Sequence, residues 1–227
     1  MMKYLQILLG LVLYLAVTCV AAPSLRVEAP LLLPTVLQRY AHDPACSTQG
    51  LVWAGNGTLF ESSGLPMPSE IRQVEIATGR PLKRQLLPRK IFAEGLALSG
   101  GQLVLSTYQD QRIFRFDPAT LEPIRDEAYP YEGWGLTTSP DGLILASDGT
   151  SKLRWLDPLS WVTQRSVEVK ESSGPVVYLN ELEYSGTKIL ANVYTTNLIA
   201  IIDPPTGRVD AWLDLRGLLT PAAQAAA

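Results

Sequence analysis

One structural plan recurs four times along this chain, and the repetition limits the possible folds more than any other feature. The strings Val74-Glu-Ile-Ala-Thr-Gly79, Phe116-Asp-Pro-Ala-Thr-Leu121, Leu156-Asp-Pro-Leu-Ser-Trp161 and Ile202-Asp-Pro-Pro-Thr-Gly207 each run apolar residues into a turn. Aligning Ile76, Asp117, Asp157 and Asp203 gives spacings of 41, 40 and 46 residues. A second register, Gln49-Gly-Leu51, Glu94-Gly-Leu96, Trp134-Gly-Leu136 and Asn180-Glu-Leu182, is spaced by 45, 40 and 46. Downstream of each, a turn feeds a β-rich run: Gly57-Thr-Leu-Phe60, Gly101-Gln-Leu-Val-Leu105, Gly142-Leu-Ile-Leu145 and Gly186-Thr-Lys-Ile-Leu190. Runs such as Arg112-Ile-Phe-Arg-Phe116 and Leu153-Arg-Trp-Leu156 have strand length and composition. Four strands per 40–46 residues is the size of a β-propeller blade. A sandwich shares the short strands but not the fixed period. The expected fold is therefore all-β, with 17 Gly and 17 Pro serving many turns rather than long helices.

The period also selects residues. Innermost strands line a propeller's central channel, so positions of equal phase converge on one axial place. That phase holds Gln49, Glu94, Trp134 and Asn180, two amides, a carboxylate and an indole. Core packing asks for no such quartet, which points to a ligand site, although polar residues at crowded strand ends also serve to satisfy backbone groups.

Composition narrows the chemistry. A net charge of −3 without a Lys/Arg block argues against nucleic acid, whose phosphates require clustered positive charge. One His and two Cys are few soft ligands for an ordinary zinc site, so no metal or other cofactor is expected. Residues 1–22 read as a secretory signal: Lys3, an apolar run from Leu5 to Val20, then Ala21 and Ala22. The run is shorter than the ~20 residues of a spanning helix, so no stable membrane insertion is expected after cleavage. Cys19 is a poor lipid-attachment candidate after Thr18, and Cys46 reads as a buried thiol. Residues 23–227 then form the propeller domain, expected in the periplasm or secreted and as a monomer.

At these positions the sequence resembles the plant and bacterial glutaminyl-peptide cyclotransferases, five-bladed propellers. The resemblance rests on Ala41-His-Asp-Pro44 with Thr48-Gln-Gly-Leu51, Phe60-Glu-Ser-Ser-Gly-Leu65, Ile91-Phe-Ala-Glu-Gly-Leu96, Gly133-Trp-Gly-Leu136, Ser147-Asp-Gly149, Leu179-Asn-Glu-Leu-Glu-Tyr184 and Ala191-Asn-Val-Tyr194, over roughly residues 38–217. It implies an acyltransferase that turns the N-terminal Gln of a peptide or protein into pyroglutamate and releases ammonia without a metal. Glu94 would be the acid/base carboxylate, with Gln49, Trp134 and Asn180 shaping the substrate pocket. Tyr108 and Tyr194 stand where the family usually carries Trp, keeping an aromatic wall while changing its polarity. The family's last blade, with its Thr-Gly-Lys string and a lysine facing the site, has no counterpart after Asn180. A fifth blade is thus expected to be largely missing beyond the four repeats at 49–219, with residues 23–45 supplying at most an outer strand of it. The alternative function is a non-catalytic propeller that binds peptide N-termini or another small ligand.

Further candidates follow from position. Glu61, twelve residues after Gln49, and Asn192, twelve after Asn180, are possible pocket residues of one shared phase. Asp148 in Ser-Asp-Gly reads as a turn former and His42 as a residue that pins a loop. Glu181 and Glu183 are sent by strand alternation to the face opposite Asn180, as supporting residues. Trp155, Trp161 and Trp212 read as packing between blades.

Overall fold

A computed structural model describes residues 27–219; the expected signal segment, Cys19 and residues 220–227 lie outside the described residues. A short strand, β1 (Leu31–Leu32), precedes four antiparallel sheets of four strands each. Blade 1 comprises β2 (Thr48–Gly55), β3 (Thr58–Ser63), β4 (Glu70–Glu75) and β5 (Arg80–Leu86). Blade 2 comprises β6 (Ala93–Ser99), β7 (Gln102–Thr107), β8 (Arg112–Phe116) and β9 (Pro123–Ala128). Blade 3 comprises β10 (Leu136–Thr138), β11 (Ile144–Ala146), β12 (Lys152–Leu156) and β13 (Thr163–Glu168). A small hairpin, β14 (Lys170–Glu171) with β15 (Gly174–Pro175), leads to blade 4, made of β16 (Leu179–Ser185), β17 (Lys188–Val193), β18 (Leu198–Ile202) and β19 (Val209–Asp214). The described residues thus form an all-β propeller arrangement of four blades.

The repeat has a local cause. In every blade the third strand ends in a turn whose first carbonyl accepts from the N–H four residues on: Glu75 from Gly79, Asp117 from Leu121, Asp157 from Trp161 and Asp203 from Gly207. All four accepted residues have positive φ, between 59° and 71°. The aspartate side chains add to this: Asp117 Oδ1 accepts from the Ala119 and Thr120 N–H groups, and Asp157 Oδ1 from those of Leu159 and Ser160. The first-blade equivalent of these aspartates is Glu75 rather than Ile76, a one-residue correction to the sequence alignment. A register shift precedes the turn in each blade, at Gln73/Val74, Arg115/Phe116, Trp155/Leu156 and Ile201/Ile202.

Three apolar seams join the blades. Phe60 meets Leu96, Leu105 and Phe114 between blades 1 and 2, and Val104 and Ile113 meet Ile144 and Leu156 between blades 2 and 3. Between blades 3 and 4, Leu145 and Trp155 meet Ile189, Ala200 and Trp212. Trp161 lies edge-on to Tyr129 of the preceding blade, with the Arg115 guanidinium over its ring. All three tryptophans expected between blades are buried there.

The outer strands differ. β5, β9 and β13 are mostly exposed and rich in charged residues, which discourages further strand pairing at these edges. β19 carries Val209, Ala211, Trp212 and Leu213, and it is covered: β1 pairs parallel to it, Leu31 with Trp212 and Leu32 with Leu213. The N-terminal strand therefore extends blade 4 instead of starting a closing blade. The Glu171 carboxylate fixes this joint, accepting from the Ala29 N–H at 2.7 Å and from Trp212 Nε1 at 2.9 Å.

Candidate active site

Neighbouring inner strands touch through glycine. A Cβ on Gly50 would lie 2.4 Å from the Leu96 nitrogen, one on Gly95 would lie 2.4 Å from the Leu136 nitrogen, and one on Gly135 would lie 2.1 Å from the Asn180 carbonyl oxygen. Only glycine lets these backbones approach so closely. The contacts set Gln49, Glu94, Trp134 and Asn180 side by side at one level, one from each blade. Register shifts at Thr48/Gly50, Ala93/Leu96 and Leu179/Leu182 place Gln49, Glu94 and Asn180 in bulges, the usual way a strand re-aims a side chain.

Glu94 is 8% exposed, and among the described residues its carboxylate accepts no hydrogen bond. Burial pushes its pKa well above the ordinary carboxylate range, and the charge of Glu132 pushes it further. Glu132 also acts electrostatically on Tyr108, whose hydroxyl is raised chiefly by burial and additionally by Glu132, Glu94 and Tyr194. Beside this acid pair runs a chain of edge-to-face aromatic contacts: Phe92 to Tyr108 at 6.2 Å, Tyr108 to Trp134 at 6.2 Å, and Trp134 to Tyr194 at 5.7 Å between ring centroids. Tyr194, 42% exposed, marks the solvent end. Two glycines leave room for the rings: a Cβ on Gly64 would strike Phe92 at 2.3 Å, and one on Gly149, at φ +76°, would strike Trp134 at 2.6 Å.

Two buried polar atoms here have no partner among the described residues, Trp134 Nε1 and Asn180 Oδ1. Such groups cost free energy when left unsatisfied, and a polar ligand bound beside them would satisfy them. The arrangement offers a carboxyl able to hold or release a proton, an apolar aromatic wall, and a free donor and acceptor beside it.

Other expected residues lie elsewhere. Glu61 is fully engaged: His42 Nε2 lies 2.7 Å from Oε1, the Thr48 hydroxyl donates to the same oxygen, and Arg72 donates to Oε2 at 2.6 Å. Burial pushes Glu61 up, but His42, Arg72 and Thr48 outweigh it and hold its pKa at about 2. Its partners tie the segment before β2 to blade 1, so the pocket assignment for Glu61 gives way to a structural one. Asn192 does not share the Glu61 phase, because a second bulge in blade 1, at Trp53/Gly55, has no counterpart in blade 4 and shifts the count by one. Leu51 pairs with Glu61 and Leu182 with Ala191, so Asn192 stands where other blades carry Ser62, Ser106 and Ser147. Ser62 Oγ accepts from Gly50 N at 2.8 Å and donates to the Glu94 carbonyl at 2.5 Å. Ser147 Oγ likewise accepts from Gly135 N and donates to the Asn180 carbonyl, both at 2.8 Å. These serines stitch neighbouring blades.

Asp148 caps its turn, bonded to Thr150 and paired with Arg154 at 2.6 Å. Alternation fails for Glu181, because the bulge at Asn180–Glu181 turns it toward blade 1, where it accepts from the Leu51 N–H at 3.0 Å. Glu183 accepts from the Thr137 hydroxyl at 3.1 Å on the adjacent inner strand. Phe92 and Glu132 were not singled out by the sequence reading. Each precedes a quartet residue by two, as does Tyr178, and same-face spacing along a strand was the available signal.

A family model described as glutamine cyclotransferase matches residues 10–227. A glutaminyl-peptide cyclotransferase from Arabidopsis thaliana is 38% identical over 190 residues, 81% of this chain and 59% of the relative, so the chain spans less than two thirds of that protein. The glutaminyl cyclase of Myxococcus xanthus has a similar structure, with a TM-score of 0.75 and 32% identity over 82% of this chain and 78% of that one. A Bacteroides caccae protein of unknown function, at TM-score 0.55 and 13% identity over 78% of this chain and 74% of its own, shares the fold.

Proposed function

The chain belongs to the glutamine cyclotransferase family, and from that membership we propose that it converts the N-terminal glutamine of peptides or proteins to pyroglutamate with release of ammonia. The observation that carries the reading is Glu94, a buried carboxyl without a hydrogen-bond partner among the described residues, set against the aromatic chain and next to the unpartnered Trp134 Nε1 and Asn180 Oδ1.

In the proposed reaction the substrate's neutral α-amine attacks its own side-chain carboxamide carbon, forming the lactam C–N bond. The tetrahedral intermediate then breaks its bond to the carboxamide nitrogen, which leaves as ammonia. The proton lost by the attacking amine is the one the leaving nitrogen needs. Glu94, whose pKa is raised by burial and by the charge of Glu132, takes the first and returns it to the second. The nucleophile is tethered to its electrophile, so the remaining task is to hold the attack geometry. Trp134 and Tyr108 wall the aliphatic part of the glutamine, the indole N–H is a donor for the carboxamide oxygen as it gains charge, and Asn180 Oδ1 is an acceptor for substrate N–H. These steps use no metal. The leader-like residues 1–22 favour an extracytoplasmic place of action.

The test is ammonia release from glutamine-terminated dipeptides by the purified, folded chain. Turnover above buffer supports the reading. Saturable binding of the same peptides without ammonia release would assign the non-catalytic function instead.

A further inference from the structure

The chain's single histidine lies beside the buried Cys46 and Glu61, and this cluster shares no residue with the site around Glu94. His42 Nε2, Cys46 Sγ and a Glu61 carboxylate oxygen all lie within 4.8 Å of one another. The Thr48 hydroxyl is 3.2 Å from His42 Nε2 and 3.8 Å from Cys46 Sγ. An imidazole, a thiol and a carboxylate supply the nitrogen, sulfur and oxygen donors that a borderline-soft divalent ion takes. We propose that His42, Cys46 and Glu61 form a zinc-binding site that fastens the segment before β2 to blade 1.

The surroundings suit this. Arg72 holds the second Glu61 oxygen at 2.6 Å and Asp43 at 2.8 Å, which orients the carboxylate as outer partners of metal ligands do. With Cys46 ionised, the negative charges of Cys46, Glu61 and Asp43 exceed the single positive charge of Arg72 by two, the charge of the ion. The His42 side chain is 28% exposed, so the cluster can be reached from solvent. Binding replaces the His42 contact with Glu61 by bonds from each to the metal, and the Cys46 thiol proton leaves to solvent. Zinc uptake is therefore coupled to proton release.

The experiment uses the full chain with Cys19→Ser, freed of metal by chelation, so that Cys46 supplies the one thiol. Titration with Zn²⁺ should show one ion bound per chain with release of a proton, and Co²⁺ should produce a thiolate-to-metal charge-transfer band. Loss of an outer partner lowers metal affinity about 10–100-fold, so loss of a ligand in Cys46→Ser or His42→Gln should cost at least ~100-fold. Glu94→Gln should bind zinc unchanged, which keeps this result separate from the proposed enzyme activity. Absence of the cobalt thiolate band, or equal zinc affinity in Cys46→Ser, would overturn the proposal, and the band needs no variant at the cluster.

Discussion

The Glu181 carboxylate accepts a 3.0 Å hydrogen bond from the Leu51 backbone N–H, linking the inner strands of blades 4 and 1. In the other three blades the equivalent residue is Gly50, Gly95 or Gly135, and backbone meets backbone directly. Blade 4 makes the connection with a side chain. Burial first, and then the charge of Glu183, raise the Glu181 pKa well above the carboxylate range, which favours the neutral form. Glu181→Gln keeps the acceptor and should leave stability nearly unchanged at neutral pH. Glu181→Ala strands the Leu51 N–H and should cost about 1–3 kcal/mol, measured by denaturant unfolding.

Replacing Glu94 removes the proton carrier of the proposed reaction. Glu94→Gln should lower kcat for ammonia release by about 10²–10⁴-fold with unchanged circular dichroism. A rate within a few fold of the parent would reject the assigned role.

Glu132 raises Glu94 by its charge, so Glu132→Gln should lower the Glu94 pKa. The limb of the pH–rate profile that reports Glu94 should move to lower pH. An unmoved limb would separate Glu132 from the proton chemistry.

Burial raises Glu183 to about 7, against the opposing hydrogen bond from Thr137. Its folded pKa exceeds the ordinary value of 4.5, so the folded chain binds more protons between these limits. The associated stability is complete below pH 4.5 and disappears as pH rises through about 7. Urea midpoints at pH 5 and pH 8 should therefore differ less in Glu183→Gln than in the parent.

Gly149→Ala would press a methyl carbon against the Trp134 ring at a residue whose φ is +76°. Moving the indole should raise KM, because the ring walls the substrate, and lower kcat, because its N–H is the proposed donor to the developing oxyanion, with a stability loss of about 1–3 kcal/mol. Unchanged KM would show that Trp134 does not wall the substrate.

The aromatic wall was legible because it obeys the repeat. Tyr108 and Tyr194 each follow their inner-strand polar residue by fourteen positions, so the period that selected Glu94 also groups them. Glu61 was misread for the same reason: a fixed spacing from Gln49 ignores the bulge at Trp53/Gly55, and one inserted residue exchanges the two faces of a strand.

The blade, its turns and the inner-strand level of the candidate site could be read from the residues in order, because a propeller repeats local chemistry: an Asp-Pro turn, a glycine where backbones meet, a short apolar strand. What crosses between repeats depends on how the blades assemble. Tertiary structure brought Glu132 to Glu94, Glu181 to Leu51, β1 to the apolar edge of β19, and His42 to Cys46 and Glu61. A count of soft ligands weighs each residue type separately. It cannot foresee that burial and an arginine counter-ion will place one imidazole, one thiol and one carboxylate around a common point.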